Sequence, residues 1–198
     1  MNKRFEEKGT IKMSREYVDK YLAETQEIVN KISREEIVKS ISILKTLREQ
    51  QGRLFILGVG GSAANASHAV NDFRKIGGIE TYAPTDNVSE LTARTNDEGW
   101  ETTFCEWLKT SRIQKQDAVM VFSVGGGSKT TSLNIVNALK LAKVQGSRII
   151  SIVSRNGGYA KEVSDACILI PVVDEKRITP HAEGWQGVIW HLLVNAIV

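Results

Sequence analysis

Three histidines stand in this 198-residue sequence, and two of them lie at spacings from acids that chemistry can use. His68 and Asp72 are four positions apart, so on a helix both side chains share one face about a turn from each other. Such a pair is half of a divalent-metal site, or a base with the group that orients it. The plainer reading is a polar pair on a helix surface. Glu183 and His191 are eight positions apart, about 12 Å of helical rise, so they meet one ion only if Glu183 reaches inward. Glu183 also falls in the first turn of its helix, where a carboxylate favours the helix dipole without any further role. Val188, Ile189, Trp190, Leu192 and Leu193 make that helix a buried one. A histidine among them needs a partner, and Glu183 or Asp72 can supply it.

Two glycine-serine loops add a second kind of chemistry. Gly58-Val59-Gly60-Gly61-Ser62-Ala63-Ala64 and Ser123-Val124-Gly125-Gly126-Gly127-Ser128 each follow an apolar run and open a helix. Glycines there let backbone N–H groups approach a ligand, and the helix start favours an anion. Either loop alone is a weak signal, since a serine-capped tight turn serves as well. Two of them at corresponding junctions of one sheet point to a shared crevice for a phosphate ester. No nucleotide cofactor is expected. The GxxxxGK[ST] spacing is absent, and no GxGxxG is followed by an acidic residue closing a second strand.

These loops need strands to carry them. Leu54–Leu57, Ala118–Phe122, Arg148–Val153 and residues 166–170 read as strands buried on both faces, with a shorter one at 79–82. Helices fill 62–76, 98–110, 128–145 and 180–197, the last capped by Thr179 with Pro180 at its first position. In the helix over 128–145, Asn134, Asn137, Lys140 and Lys143 form a polar stripe, its solvent side. Strand–helix alternation implies right-handed crossovers and a parallel sheet covered on both faces. Two helices come first. One spans 14–31, capped by Ser14, with Val18, Leu22, Thr25, Val29 and Ile32 on one face. The other starts at Ser33, with Glu36 completing a capping box. It carries Ile37, Ile41, Leu44 and Leu47 inward and ends near Gly52. A small sheet domain seldom needs such a hairpin for its own core. Residues 1–52 are therefore expected to build an oligomer, and 53–198 to form the α/β core of a single domain.

Composition narrows the classes. Hydrophobic residues at 41% and charged residues at 25% are those of a folded soluble chain. No apolar run approaches the ~18–20 residues that cross a bilayer. The polar start MNKRFEEKGT lacks the apolar segment of a secretory signal, so no membrane partner and a cytoplasmic location are expected. A net charge of +3, from 26 basic and 23 acidic residues, is too weak and dispersed to argue for nucleic acid. Cys105 and Cys167, far apart and outside any CxxC, are expected as reduced buried thiols.

Taken together the motifs resemble a known family. Residues 57–68, LGVGGSAANASH, resemble the GNGGSAADAQH signature of the phosphoheptose isomerases, members of the sugar isomerase (SIS) family. Thr95-Asn96-Asp97-Glu98-Gly99-Trp100-Glu101 is similar to that family's ANDYGYE segment. Residues 123–128 stand where its STSGNS phosphate loop lies, and the last helix ends on the matching histidine. The resemblance covers nearly the whole chain. It implies a flavodoxin-like, doubly wound, five-stranded parallel sheet and a homotetramer with active sites between subunits. It also implies conversion of sedoheptulose 7-phosphate to a heptose 7-phosphate for lipopolysaccharide or capsule. Gly60, Gly61, Ser62, Asn96, Asp97, Ser123, Gly125, Gly126 and Ser128 would then contact the sugar phosphate. By the same likeness His68, Asp72, Glu183 and His191 occupy zinc positions, with Asp72 as base and His191 as its partner acid. The chain departs from the family at Val59, where Asn is usual, and at Val124 and Gly125, where hydroxyl residues are usual. Asp72 replaces Glu, Glu183 replaces Gln, and His181-Ala182 replace Arg-Ile. The replacements at metal positions are still ligands, so a cation site is kept and gains negative charge. The missing hydroxyls weaken the grip on phosphate.

The reaction expected is aldose–ketose isomerisation of a phosphorylated sugar. It needs a base beside the carbonyl, stabilisation of an enediolate and an acid. Asp72 with Glu183 supplies the base and His191 the acid. A non-catalytic sugar-phosphate-binding SIS protein, acting as a regulator or as a partner of the replication initiator, is the alternative; the shorter Asp72 and the thinned loop favour it. A metal-dependent hydrolase has the ligands but no nucleophile motif. The isomerase requires the amino ends of two helices to face the same hollow as the imidazoles and acids.

Overall fold

The structure is a computed structural model that describes residues 3–198, and side chains from residue 12 onward. Its centre is a five-stranded sheet in which every neighbouring pair is parallel, in the order β2-β1-β3-β4-β5. The strands are β1 (Leu54–Leu57), β2 (Thr81–Tyr82), β3 (Ala118–Phe122), β4 (Arg148–Val153) and β5 (Ala166–Leu169). All residues of β1 and β3 are buried, because helices lie on both faces and leave no solvated side. One layer is α1 (Lys3–Lys31), α2 (Arg34–Glu49), α3 (Gly61–Lys75) and α8 (Ile178–Ala196). Its core joins Ile28, Leu44, Phe73 and Trp190 to Ile56, Met120 and Ile150 of the sheet. The other layer is α4 (Val88–Glu98), α5 (Thr103–Thr110), α6 (Leu133–Gln145) and α7 (Gly158–Val163). Phe104, Leu108, Ile135 and Leu139 pack there on Phe55, Val119 and Ile149. This is the doubly wound, flavodoxin-like order expected. Its winding reverses between β1 and β3, which places a crevice beyond their carboxyl ends.

The hairpin is present with a different dressing. Ser14 lies inside α1 rather than at its start. The apolar stripe of α1 is largely exposed, with Val18 at 51%, Leu22 at 57% and Val29 at 43%. Its last member Ile32 is buried, together with Glu24 and Ile28 beside it. Ser33 does cap α2, accepting from the Glu36 N–H at 3.3 Å. The Glu36 carboxylate leaves the capping box and accepts the Cys167 N–H of β5 at 2.7 Å. At the far end of α1, buried Glu24 accepts from Arg177 at 2.6 and 2.8 Å and lies 2.9 Å from His181 Nε2. The Tyr21 ring stacks on His181. Hydrogen bonding to Arg177, with His181 adding to it, holds the Glu24 carboxyl at about 2 in spite of burial. This charged cluster fixes where α8 begins.

Other boundaries moved for local reasons. The helix expected over 98–110 is shortened to α5, because Gly99 has a φ of 89° that no helix accommodates, and α4, which ends just before it, was not expected. Helix α6 starts at Leu133, not at 128, because residues 128–132 form a turn in which the Ser128 hydroxyl accepts the Thr130 and Thr131 N–H groups. Asn134 is fully buried, so the expected polar stripe does not face solvent at that position. Ile178 begins α8 two residues before Pro180, which still lies in the first turn where its missing N–H costs nothing. The short α7 was not expected. Both cysteines are free and only partly buried; burial pushes the Cys167 thiol up to about 11.

Candidate active site

At the β1/β3 crevice the two glycine-serine loops line one hollow of about 570 Å³. Ser62 comes to it from the start of α3, and Ser123, Gly125 and Ser128 from the loop after β3. The first loop needs its glycines for space and for φ. A side chain on Gly58 would strike the Ser62 backbone, and Gly60 has φ 64°. In the second loop, Gly126 and Gly127 have φ of 71° and 83°. A side chain on Gly126 would enter the Gly157 carbonyl, and the Gly126 and Gly127 carbonyls accept the Ala160 and Tyr159 N–H groups of α7. The Ser123 hydroxyl accepts the Gly126 N–H at 3.1 Å. Arg155 and Asn156 after β4, and Thr179 of α8, complete the wall opposite.

A second cluster lies further along the α3–α8 interface. His68, Asp72 and His191 each offer a ligand atom within 4.8 Å of the other two. The Asp72 Oδ2 is 4.0 Å from His68 Nε2 and 3.9 Å from His191 Nε2. Trp190, buried beneath them, stacks on His191 with ring centroids 3.5 Å apart and meets the His68 ring edge-on at 4.7 Å. His191 Nδ1 is 2.7 Å from the Gly187 carbonyl oxygen. A carbonyl only accepts, so Nδ1 carries the proton and Nε2 turns its lone pair toward Asp72. The other Asp72 oxygen accepts from Asn71 at 2.8 Å. Two imidazole nitrogens and an oriented carboxylate fit a divalent cation of the zinc type. Zinc ligands at 2.0–2.2 Å sit about 3.4 Å apart in a tetrahedron, so the two Asp72 distances need to close by about half an ångström and the imidazole pair by at most about 1.4 Å. His191 is exposed here, so the expectation that it is a buried histidine in need of a partner is corrected; the buried one is His181.

The other expected site residues fall elsewhere. Glu183 is outside the imidazole cluster; its carboxylate packs on Gly61, where any side chain would collide with it. Asn65 of α3 donates to the Glu183 carbonyl and to Gln186, tying the two helices at this level. Asn96 and Asp97 are exposed on the last turn of α4, bonded to each other and outside the hollow. Ser128 lines the hollow but caps a turn rather than a helix; α6 begins beyond it, and its N-cap Ser132 and Thr179 in the first turn of α8 also line the hollow. Within one chain the hollow and the imidazole cluster are two stations along α3. His68 is seven residues beyond Gly61, about 10 Å of rise. The requirement that they share one cavity is not met by a single copy. Arg155, Asn156 and Thr179 were missed. The pair Gly157-Gly158 after a third buried strand is the same signal that exposed the other two loops.

Comparison with known proteins agrees with this geometry. The SIS domain profile matches residues 16–154. A phosphoheptose isomerase of Helicobacter pylori is 30% identical over 170 residues, 82% of this chain and 83% of that one. One from a Nitratiruptor species is 30% identical over 191 residues, covering 92% and 97%. The structure of the Neisseria gonorrhoeae enzyme superposes with a TM-score of 0.80 at 23% identity, over 95% of this chain and 98% of that one. The chain belongs to the SIS domain family. These two relatives are phosphoheptose isomerases, and the chain is an isomerase.

Proposed function

We propose that this protein interconverts sedoheptulose 7-phosphate and a heptose 7-phosphate in the cytoplasm, supplying surface polysaccharide. What carries the reading is an anion-binding hollow at the sheet's switch point, joined by one helix to an acid–imidazole cluster, in a chain of this family. His68 and Asp72 would hold zinc, with His191 Nε2 joining them only while it handles no proton; the ion would polarise the substrate's carbonyl oxygen. Glu183, the fourth expected ligand, would join them only by leaving Gly61.

The residues themselves supply the proton traffic. Asp72 takes a proton from C1 of the ketose, and the C–H electron pair becomes the C1–C2 double bond of an enediolate. The Nε2 lone pair of His191 takes the O1 proton and hands it to O2 as the new C1 carbonyl forms, and Asp72 returns its proton to C2. Atoms and charge balance with no external reagent. The Nδ1–H bond to Gly187 keeps Nε2 aimed for both transfers, while Glu183, on Gly61 outside this cluster, would support a base only in the cluster of a second copy. A second copy of the chain, within a homotetramer, would bring hollow and cluster into one site. The exposed Val18, Leu22 and Val29 of α1, and Val188 and Leu192 beside His191, offer the apolar surface for it.

Purified protein with added zinc and sedoheptulose 7-phosphate should form an aldose phosphate, followed by NMR. Absence of turnover on any heptulose or hexulose phosphate overturns the reading. His191→Ala should lower kcat at least ~100-fold, the usual worth of a positioned acid; an unchanged rate rejects that role.

A further inference from the structure

A phosphate group brings up to two negative charges into the hollow, and its two ends are not equally able to meet them. The start of α3 already faces a carboxylate, since Glu183 packs on Gly61; a phosphate seated at Ser62 would lie beside like charge. The 123–128 loop has no such opposition, yet its neutral donors are few. Val124 and Gly125 offer no side-chain donor. The Gly126, Thr130 and Thr131 N–H groups are taken by the Ser123 and Ser128 hydroxyls, which as acceptors there keep one O–H donor each. Facing this loop is Arg155, the single charged side chain among the described residues that line the hollow.

Arg155 is unusual in two ways. It makes no hydrogen bond or ion pair among the described residues. It also has φ 54°, as the second residue of a turn closed by the Gly157 N–H on the Ser154 carbonyl at 2.9 Å. Glycine is the ordinary occupant of such a position, and a side chain there costs about 1 kcal/mol or more. Its stem passes over the loop: a Cβ built on Gly125 would lie 3.9 Å from Arg155 Cδ. The fold gains no bond from this arginine and bears its strain.

We propose that Arg155 is the cation that binds the phosphate end of the substrate, its guanidinium acting with the backbone of the 123–128 loop. The sugar then extends toward Gly61 and Glu183. That the anion is a sugar phosphate rests on the function proposed above; the anion seat itself does not.

The test uses inorganic phosphate and sedoheptulose 7-phosphate separately. Arg155→Gly should weaken phosphate binding in calorimetry by roughly 10- to 100-fold, the worth of a charge-assisted contact. It should raise KM for the sugar phosphate by a similar factor, with kcat changed less. Its Tm should stay or rise, because glycine relieves the positive φ. Arg155→Lys, which keeps the charge, should fall between the two. Phosphate binding by Arg155→Gly at the wild-type level, or none by the wild type, overturns the proposal. A wild type that binds phosphate through Arg155 but turns over no ketose phosphate upholds this inference and overturns the isomerase reading.

Discussion

At the scale of single residues, the site is governed by where two carboxylates are parked. Asp72 sits between two imidazoles, while Glu183 lies on the first residue of α3. Gly61 is what allows the second arrangement, and it is open to experiment. Its φ is not in the left-handed region, and the atoms a methyl group would meet belong to the flexible end of Glu183. Gly61→Ala should therefore leave the fold intact, with Tm unchanged or a few degrees higher from better helix propensity. Turnover should fall about 10-fold as Glu183 is pushed from its place. Steady-state kinetics beside a melting curve separates the two; activity at the wild-type level would remove Glu183 from the mechanism. Sequence made His68 and Asp72 legible through their four-residue spacing, and His191 through the family likeness. It could not show that Glu183 stands apart from them, because eight residues along a helix leave the reach of a flexible side chain undetermined.

At the scale of elements, the junction of α1 with α8 carries the most strongly perturbed carboxylate. Glu24 is held at about 2 from an ordinary 4.5, chiefly by its hydrogen bonds to Arg177. A carboxyl with a lowered native value stabilises the fold fully above its unfolded value. That contribution fades as pH falls from about 4.5 toward 2. His181, Asp174 and Lys20 share the cluster, with Lys20 3.1 Å from Asp174 and 3.9 Å from Glu24. Glu24→Gln should lower Tm at pH 7 by roughly 5–10 °C, the scale of breaking a buried pair in a chain of this size. The gap to wild type should narrow markedly by pH 3, closing only as pH nears 2. Melting curves at pH 7, 5 and 3 check this, and a gap independent of pH would refute it. The cluster was not legible beforehand. Glu24 falls off the apolar stripe of α1, and only the meeting of residues 153 positions apart buries it. The strands were legible because continuous apolar runs have few other uses; the ends of α4, α5 and α6 were not, since they turn on the φ of Gly99 and the hydroxyl of Ser128.

At the scale of the whole molecule, the exposed stripe of α1 and the separation of hollow from cluster concern the same question. An amphipathic helix that shows Val18, Leu22 and Val29 to water is incomplete as a monomer element. Leu22→Asp should yield a smaller species in light scattering with helix content kept, and should lower turnover at least ~10-fold. A variant that is smaller and fully active would show that one copy suffices for catalysis.

The hairpin also touches the sheet at its open side. Strand β5 pairs with β4 on one edge only, and its outward Cys167 N–H is claimed by Glu36 of α2. An uncovered strand border invites another chain to add to it. By laying a helix and a carboxylate along that border, the segment proposed to build the oligomer also guards the sheet against aggregation.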